Sequence, residues 1–263
     1  MEFKDKVVLI SGATGGMGRE IAKLLAKEGC HLALLARNEN KLKALVDELK
    51  SEKTDCLSIK CDVKNKNEIK NAVESTKKRF GRIDIAILTA GVLIPNPVED
   101  FKSSIIKDTM DINFMANIYF LEYLLPIMKK QKNGIIAAIS TLPDKRGVPG
   151  WGAYGASKAA LSLFLESLRA EVLQKYGIKI ITIKPGSVKT PMIEKYPRHG
   201  AIEAKDAARI IVNGIRKGKK IIEFPFSQVL IIKLTNLFPV WVYDRIPIHL
   251  QKGEGYPEVK EKD

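Results

Sequence analysis

The sequence predicts an α/β fold in which one doubly wound, seven-stranded parallel sheet is covered by helices on both faces. Short runs rich in Val and Ile alternate with longer segments of helical period, which is the pattern of strand–helix–strand units. The short runs are apolar throughout, as expected of strands buried on both faces. With 263 residues, 45% hydrophobic and 28% charged, the composition is typical of one globular core.

Each element follows from this alternation, in chain order. Strands are predicted over residues 7–11, 31–36, 56–60, 83–88, 135–139, 179–184 and 220–224. Helices are predicted over residues 16–28, 38–50, 68–80, 103–109, 112–130, 153–176 and 204–217. A looser piece, 185–200, precedes the last helix, and no Ser/Gly-rich linker divides the chain. We therefore expect a single domain over 1–252 with right-handed crossovers, followed by a polar tail, 253–263, that frays.

Charge and cysteine content restrict the partners and the compartment. The chain has 44 Lys plus Arg against 30 Asp plus Glu, a net charge of +14, but the basic residues are dispersed. Because no basic motif carries interleaved aromatics, we expect a solvated lysine-rich surface and no nucleic-acid partner. Cys30, Cys56 and Cys61 have no C-x-x-C spacing and the three histidines are scattered, so neither disulfides nor a metal site is expected. The charged start of the chain leaves no room for a signal peptide, which favours a cytoplasmic protein.

A glycine-rich turn, SGATGGMG, ends the first predicted strand, and a helix begins inside it. Glycine lets the backbone approach a pyrophosphate closely, and the helix N-terminus offers free N–H groups and the positive end of its dipole. This strand–turn–helix context predicts a Rossmann-type dinucleotide site formed by Gly12, Thr14, Gly16, Met17 and Gly18.

The G-x-x-x-G-x-G spacing of this turn resembles the short-chain dehydrogenase/reductase family. The resemblance extends over about residues 6–224, because a D-V pair, an L-T-A-G segment and a P-G-S-V-K-T segment follow in the family's order. In the family the segment that corresponds to L-T-A-G reads N-N-A-G, so both asparagines are replaced here. Other residues must therefore support the central sheet and the cofactor loop. The resemblance implies cofactor-binding roles for Asp62, Val63, Ala90, Gly91, Pro185, Gly186, Val188 and Thr190.

The end of the second predicted strand bears on which nicotinamide cofactor binds. An acidic residue there would bind the ribose 2′-hydroxyl and repel a 2′-phosphate, but this sequence has Ala36 followed by Arg37. A guanidinium pairs well with phosphate through its planar fork. We therefore expect NADP(H) to be preferred over NAD(H).

Tyr154 and Lys158 stand four residues apart at the start of a long predicted helix, so their side chains share one face. A free tyrosine has a pKa near 10, and a nearby ammonium favours its phenolate form. Tyr154 is therefore the expected general acid and base for a ketone or alcohol oxygen. The resemblance also implies that Lys158 binds the nicotinamide ribose.

Two further residues complete the expected catalytic set. Ser140 follows the fifth strand, fourteen positions before Tyr154, and its hydroxyl is expected to polarise the substrate carbonyl, with Thr141 as the second candidate. Asn113 resembles the family's asparagine that holds a water in the proton relay to the lysine. The alternative for Asn113 is an amide that bonds to nearby backbone.

The resemblance implies an NADP(H)-dependent oxidoreductase that interconverts an apolar ketone and a secondary alcohol, such as a steroid or other lipid-like carbonyl. A nucleotide-binding scaffold or redox sensor with little turnover is the alternative, and a homodimer or homotetramer is expected. Met192, Ile193, Tyr196 and Pro197 suit a lid over the substrate, and Trp151 suits a wall; plain core packing is the alternative for each.

The segment 225–250 is unusually apolar. A helix is predicted over 229–242, with one stripe formed by Leu230, Ile231, Leu234, Leu237 and Phe238. This helix either packs on its own subunit or on a partner chain, or makes a peripheral contact with a membrane surface.

Overall fold

The computed structural model describes residues 1–52, 54–194 and 200–245, and within them all seven predicted strands pair in parallel. The strands are β1 (Val7–Ser11), β2 (His31–Ala36), β3 (Cys56–Lys60), β4 (Ile85–Leu88), β5 (Gly134–Ile139), β6 (Ile178–Pro185) and β9 (Ile221–Phe224). Their order in the sheet is β3-β2-β1-β4-β5-β6-β9. The predicted doubly wound, single-domain Rossmann-type fold is therefore confirmed.

Helices cover both faces of this sheet. They are α1 (Gly16–Lys27), α2 (Glu39–Leu49), α3 (Lys66–Phe80), α4 (Ser103–Met110), α5 (Ala116–Gln131), α6 (Gly152–Tyr176), α7 (Ala204–Arg216), α8 (Phe226–Thr235) and α9 (Val240–Tyr243). One core cluster contains apolar residues of α1, α2 and α7, and the other those of α3, α5 and α6. A small ladder of β7 (Val188–Lys189) and β8 (Ile202–Glu203) precedes α7.

The strands are apolar throughout because alternate side chains enter opposite cores. In β1, Val8 and Ile10 belong to the cluster with α1, α2 and α7, while Leu9 between them belongs to the other. All three side chains are fully buried. A polar residue at any of these positions would lose its hydration without gaining a partner.

The strand order places a crevice at the carboxyl ends of β1 and β4. The chain runs outward from β1 through β2 and β3, then returns to the other side of β1 with β4. Helices on the two sides of such a reversal diverge, and ligands of open α/β sheets bind there. The pairing of Ser11 with Leu88 brings the glycine turn beside residues 89–92.

Several predicted boundaries were wrong for local reasons. β4 begins at Ile85 rather than at 83, because the backbone N–H and C=O of Ile83 bond to the side chain of Gln131 at 3.1 and 2.9 Å. The helix predicted over 229–242 is two helices, because Pro239 lacks an N–H and disfavours helical backbone at the residue before it. A π-helical turn, Asp111–Met115, joins α4 to α5 where a break was expected.

None of the helices within 1–52, 54–194 and 200–245 is long and apolar enough to cross a membrane. The predicted tail, 253–263, lies outside these residues.

Candidate active site

A cleft of about 670 Å³ opens at the reversal of strand order. Eleven of the residues expected to bind cofactor line it: Gly12, Thr14, Gly16, Met17, Gly18, Arg37, Asp62, Val63, Ala90, Gly91 and Thr190. Helix α1 begins here, and its N-cap, Gly15, has no side chain to satisfy the N–H groups of the first turn. Uncapped N–H groups and a positive dipole end suit a pyrophosphate, so these residues fit a dinucleotide.

The turn that follows β1 packs directly on the turn that follows β4. Gly12 has a φ of +67°, and a β-carbon there would lie 2.9 Å from the backbone nitrogen of Ala90. The hydroxyl of Thr89 donates to the carbonyl of Ser11 at 2.7 Å and so joins the two strand ends. Thr89 thus supplies a bridge in the L-T-A-G segment, where the family's asparagines are replaced.

Two cations line the end of the cleft nearest to β2. Arg37 follows the strand, and Lys41 lies one helical turn later, in α2. Asn38 positions this turn, since its Oδ1 accepts from the backbone N–H of Lys41 at 2.9 Å. Within the described parts of the chain, neither cation has an ion-pair partner. Lys41 was not among the residues expected at the cofactor. Its position four residues after Arg37, in the first turn of α2, is the signal that could have indicated it.

A second, smaller cavity adjoins the cleft. It has a volume of about 190 Å³ and is lined largely by apolar residues, together with the polar residues Thr141, Tyr154, Arg146, Ser187 and Gln228. Two chain segments run along both cavities: Gly91 and Val92 line the cleft and Leu93 lines the pocket. Likewise, residues 190–192 line the cleft, while Ser187 and Ile193 line the pocket.

Ser140 is not in this pocket. Its side chain is fully buried, its Oγ donates to the carbonyl of Lys158 at 2.9 Å, and it lies 2.7 Å from the Oγ of Ser162. The N–H of Ser140 bonds to Ile183 at 2.7 Å, so the extended backbone of β5 continues through this residue. Because side chains alternate along such a backbone, Ser140 points towards α6 and Thr141 towards the pocket. Contact of Ser140 with the substrate stays a prediction, and in this structure Thr141 is the residue of the pair that lines the pocket.

Lys158 and Asn113 lie immediately behind the wall of the cleft. A β-carbon at Gly91 would lie 3.2 Å from Oδ1 of Asn113 and 3.5 Å from Nζ of Lys158. Nζ of Lys158 donates to the carbonyl of Ile139 at 2.7 Å. Lysine and asparagine thus meet at the carboxyl end of β5, next to the backbone of Gly91.

Asn113 clamps the turn that follows β4. Its Oδ1 accepts from the N–H of Val92 at 2.8 Å, and its Nδ2 donates to the carbonyl of Val92 at 3.0 Å and to Ser157 at 3.1 Å. The amide therefore bonds to backbone that is distant in sequence rather than nearby. The π-helical turn that contains Asn113 is a local irregularity of the kind found at functional sites.

Residues 6–200 match the family model described as short chain dehydrogenase. The chain belongs to the short chain dehydrogenase family. It is 35% identical to an 11-beta-hydroxysteroid dehydrogenase-like protein of Arabidopsis thaliana over 89% of this chain and 78% of that one. Levodione reductase has a similar crystal structure, with a TM-score of 0.80, 26% identity, and coverage of 87% of this chain and 99% of that one.

A Burkholderia phymatum short chain dehydrogenase/reductase in complex with NAD has a TM-score of 0.83 over 89% of this chain and 94% of that one. At 21% identity, it shows the shared fold. Family membership makes this short chain dehydrogenase an NAD(P)-dependent alcohol/ketone oxidoreductase.

Besides Tyr154 and Lys158, which are placed above, three residues expected at the cofactor do not line the cleft of this short chain dehydrogenase. Gly186 lines the smaller pocket, and Pro185 and Val188 line neither cavity. Pro185 ends β6, where its carbonyl accepts from Leu142 at 3.0 Å, and Val188 is buried in β7. Of the P-G-S-V-K-T residues expected to bind cofactor, Thr190 alone lines the cleft.

Burial changes the acidity of two groups in this site. Burial lowers the pKa of Lys158 to about 8, because removal from water disfavours the charged ammonium. Burial, assisted by Glu68, raises the pKa of the Cys61 thiol in the cleft to about 12. Cys61 is therefore a neutral thiol at physiological pH, as expected of an unreactive cysteine.

The expected wall and lid residues have mixed outcomes. Trp151 and Ile193 line the pocket, and Met192 lines the cleft. Tyr196 and Pro197 lie outside the described residues. The pocket also has a wall that sequence analysis did not assign, formed by Gln228, Ile231 and Ile232 of α8.

Proposed function

We propose that this short chain dehydrogenase uses NADP(H) to interconvert an apolar ketone and its secondary alcohol. The observation that carries the proposal is the position of Thr141 and Tyr154, which both line a largely apolar pocket adjoining the dinucleotide cleft. Arg146, Ser187 and Gln228 are the other polar side chains among the residues that line this pocket. The remaining lining, which includes Leu93, Trp151 and Ile232, suits a hydrocarbon body.

The chain's own residues have distinct roles in the proposed reaction. Thr141 and Tyr154 donate hydrogen bonds to the carbonyl oxygen, and Tyr154 transfers its proton to that oxygen during reduction. When bound, the nicotinamide supplies the hydride for reduction or accepts it in the reverse direction. The ammonium of Lys158 favours the phenolate that Tyr154 becomes, and Asn113 holds the neighbouring turn and a water of the proton relay.

The proposal is tested by the loss of NADPH absorbance with a panel of apolar ketones that have no other reactive group. Turnover of at least one apolar ketone is expected. Polar hydroxy-ketones of equal size are the matched comparison, and their kcat/KM should be lower. Binding of NADPH without turnover of any member would instead support the scaffold or sensor alternative. A homodimer or homotetramer stays a prediction from the resemblance.

The preference for NADP(H) is proposed to rest on Arg37 and Lys41. In the Arg37→Ser/Lys41→Ser variant, we expect the KM for NADPH to rise by about 10- to 100-fold, because charge-assisted bonds to the 2′-phosphate are lost. The KM for NADH should change little, since NADH has no such phosphate. Lys43→Ser is the matched control, because Lys43 is exposed on the same helix and does not line the cleft. Equal losses with both cofactors would contradict the proposal.

The rate of ketone reduction should fall as the pH rises through about 8. Burial lowers the pKa of Lys158 to about 8, so the ammonium that supports Tyr154 is lost above this pH in the free enzyme. The measurement is kcat/KM for the ketone against pH. In Lys158→Met the inflection near pH 8 should disappear, while Lys175→Met, an exposed position on the same helix, should keep it. An unchanged inflection in Lys158→Met would assign it to another group.

A further inference from the structure

The C-terminal helices carry a cluster of exposed apolar side chains beside the pocket. Eight large apolar residues there are between 40% and 82% exposed: Phe226, Leu230, Ile231, Leu234, Leu237, Phe238, Val240 and Trp241. We call this set the apolar C-terminal face. Single exposed apolar residues are ordinary, but eight within sixteen consecutive positions are typical of an interaction surface.

This face is attached to the folded body. Arg146 donates to the backbone carbonyls of Asn236, at 3.3 Å, and Phe238, and its guanidinium lies 5.1 Å from the ring of Tyr243. The hydroxyl of Tyr243 donates to the carbonyl of Gly147 at 2.8 Å. Arg146 itself lines the pocket. The apolar C-terminal face is therefore held against the loop that forms the pocket.

The face and the pocket are continuous through helix α8. Ile231 belongs to both, since it is 58% exposed and also lines the pocket. Gln228 ties this helix to the segment that follows β6: its Oε1 accepts from the N–H of Ser187 at 2.8 Å, and its Nε2 donates to the carbonyl of Gly200 at 2.9 Å. Ile231 therefore connects the apolar C-terminal face with the lining of the pocket.

We propose that the apolar C-terminal face lies on the surface of an anionic lipid bilayer, from which the pocket takes its ketone. The ketone substrate in this proposal rests on the proposed function. The contact of the face with a bilayer does not depend on that function. Charge favours this occupant: the chain has a net charge of +14, and the exposed Lys145 and Arg245 flank the face. Of the acids nearby, Glu223 is paired with Lys233 and Asp144 with Lys184, while Asp244 is exposed. A second copy of the chain would bring the same positive charge to the interface.

The two C-terminal helices are expected to lie in the plane of the bilayer surface rather than across the bilayer. Helix α8 has 10 residues and α9 has 4, so both lie along a surface more readily than across it. Their apolar side chains enter the boundary between headgroups and acyl chains, and the basic residues meet lipid phosphates. A ketone dissolved in the acyl region then reaches Ile231 without entering water.

Flotation on vesicles tests the surface. The full chain is mixed with vesicles of phosphatidylcholine, with or without phosphatidylglycerol, and compared with Leu237→Glu/Val240→Glu, which changes two exposed residues outside the pocket. We expect the wild type to float with the anionic vesicles. The affinity of the double variant for these vesicles should be lower by a factor of about ten or more. Val98→Glu is the matched control, because Val98 is 84% exposed but lies outside the face, and it should float like the wild type.

Two parallel measurements separate this proposal from the proposed function. The double variant should reduce a water-soluble ketone at the wild-type rate and lose turnover only of a ketone delivered in vesicles. Flotation without any NADPH turnover would leave the surface supported and refute the proposed function. If the wild type does not float, the proposed membrane contact through the apolar C-terminal face is refuted. Sedimentation would then identify what covers the face. A dimer in the wild type and a monomer in the double variant would indicate a second copy, whereas a monomer in both would indicate cover by the same chain.

Discussion

Replacing Tyr154 by phenylalanine should lower the rate of NADPH-dependent ketone reduction by about 10²- to 10⁴-fold. The substitution keeps the ring in the pocket wall but removes the hydroxyl that is proposed to protonate the carbonyl oxygen. Because the cleft is untouched, NADPH should bind with nearly unchanged affinity. The measurement is single-turnover oxidation of bound NADPH, with cofactor affinity determined separately by fluorescence.

Tyr176→Phe is the matched control, since Tyr176 ends the same helix, α6, and does not line the pocket. It should retain the wild-type rate. A Tyr154→Phe enzyme with full activity would remove tyrosine from the proposed proton transfer. A similar rate loss in both variants would mean that the helix, rather than the hydroxyl at position 154, had been disturbed.

The second large effect is expected at Thr141 and not at its neighbour Ser140. Thr141→Val keeps the shape of the side chain but removes the hydroxyl proposed to polarise the carbonyl, so kcat should fall by about 10²- to 10³-fold. Thr141→Ser should restore most of this activity, because it returns a hydroxyl to the same position. Steady-state rates at saturating NADPH measure both variants.

Ser140→Ala should behave differently, because the hydroxyl of Ser140 bonds to Lys158 and Ser162 within the fold. We expect a loss of about 1 kcal/mol in the free energy of unfolding, seen in denaturant titration, with kcat reduced much less than in Thr141→Val. The reverse pattern, with a large kcat loss in Ser140→Ala and full activity in Thr141→Val, would return the catalytic role to Ser140.

The difference between these two residues marks the limit of sequence reasoning at this site. The sequence places both directly after the fifth strand, but which one points into the pocket depends on where the extended backbone ends. That backbone continues through Ser140 because its N–H bonds to Ile183, on a strand more than forty residues later. Contacts of this range leave no local pattern, so the register of the strand had to come from the structure.

Local patterns did predict most of the fold. The bounds of β1, β2 and β3 agree with the structure because each is a short run between turn residues. The glycine turn was predictable because its backbone geometry restricts the residue type, as the positive φ of Gly12 shows. In contrast, the burial of Pro185 and Val188 and the attachment of Arg146 to the C-terminal helices depend on distant partners.

The two bonds of Gln228 have a thermodynamic consequence. They connect helix α8 to Ser187 and Gly200, which flank the segment that contributes Thr190 to the cleft. We therefore expect a displacement of α8 by a ketone to affect the segment that carries Thr190. Such coupling is reciprocal: whatever factor the ketone applies to the affinity for the dinucleotide, the dinucleotide applies to the affinity for the ketone. An amide in the first turn of α8 is thus expected to link the two binding equilibria.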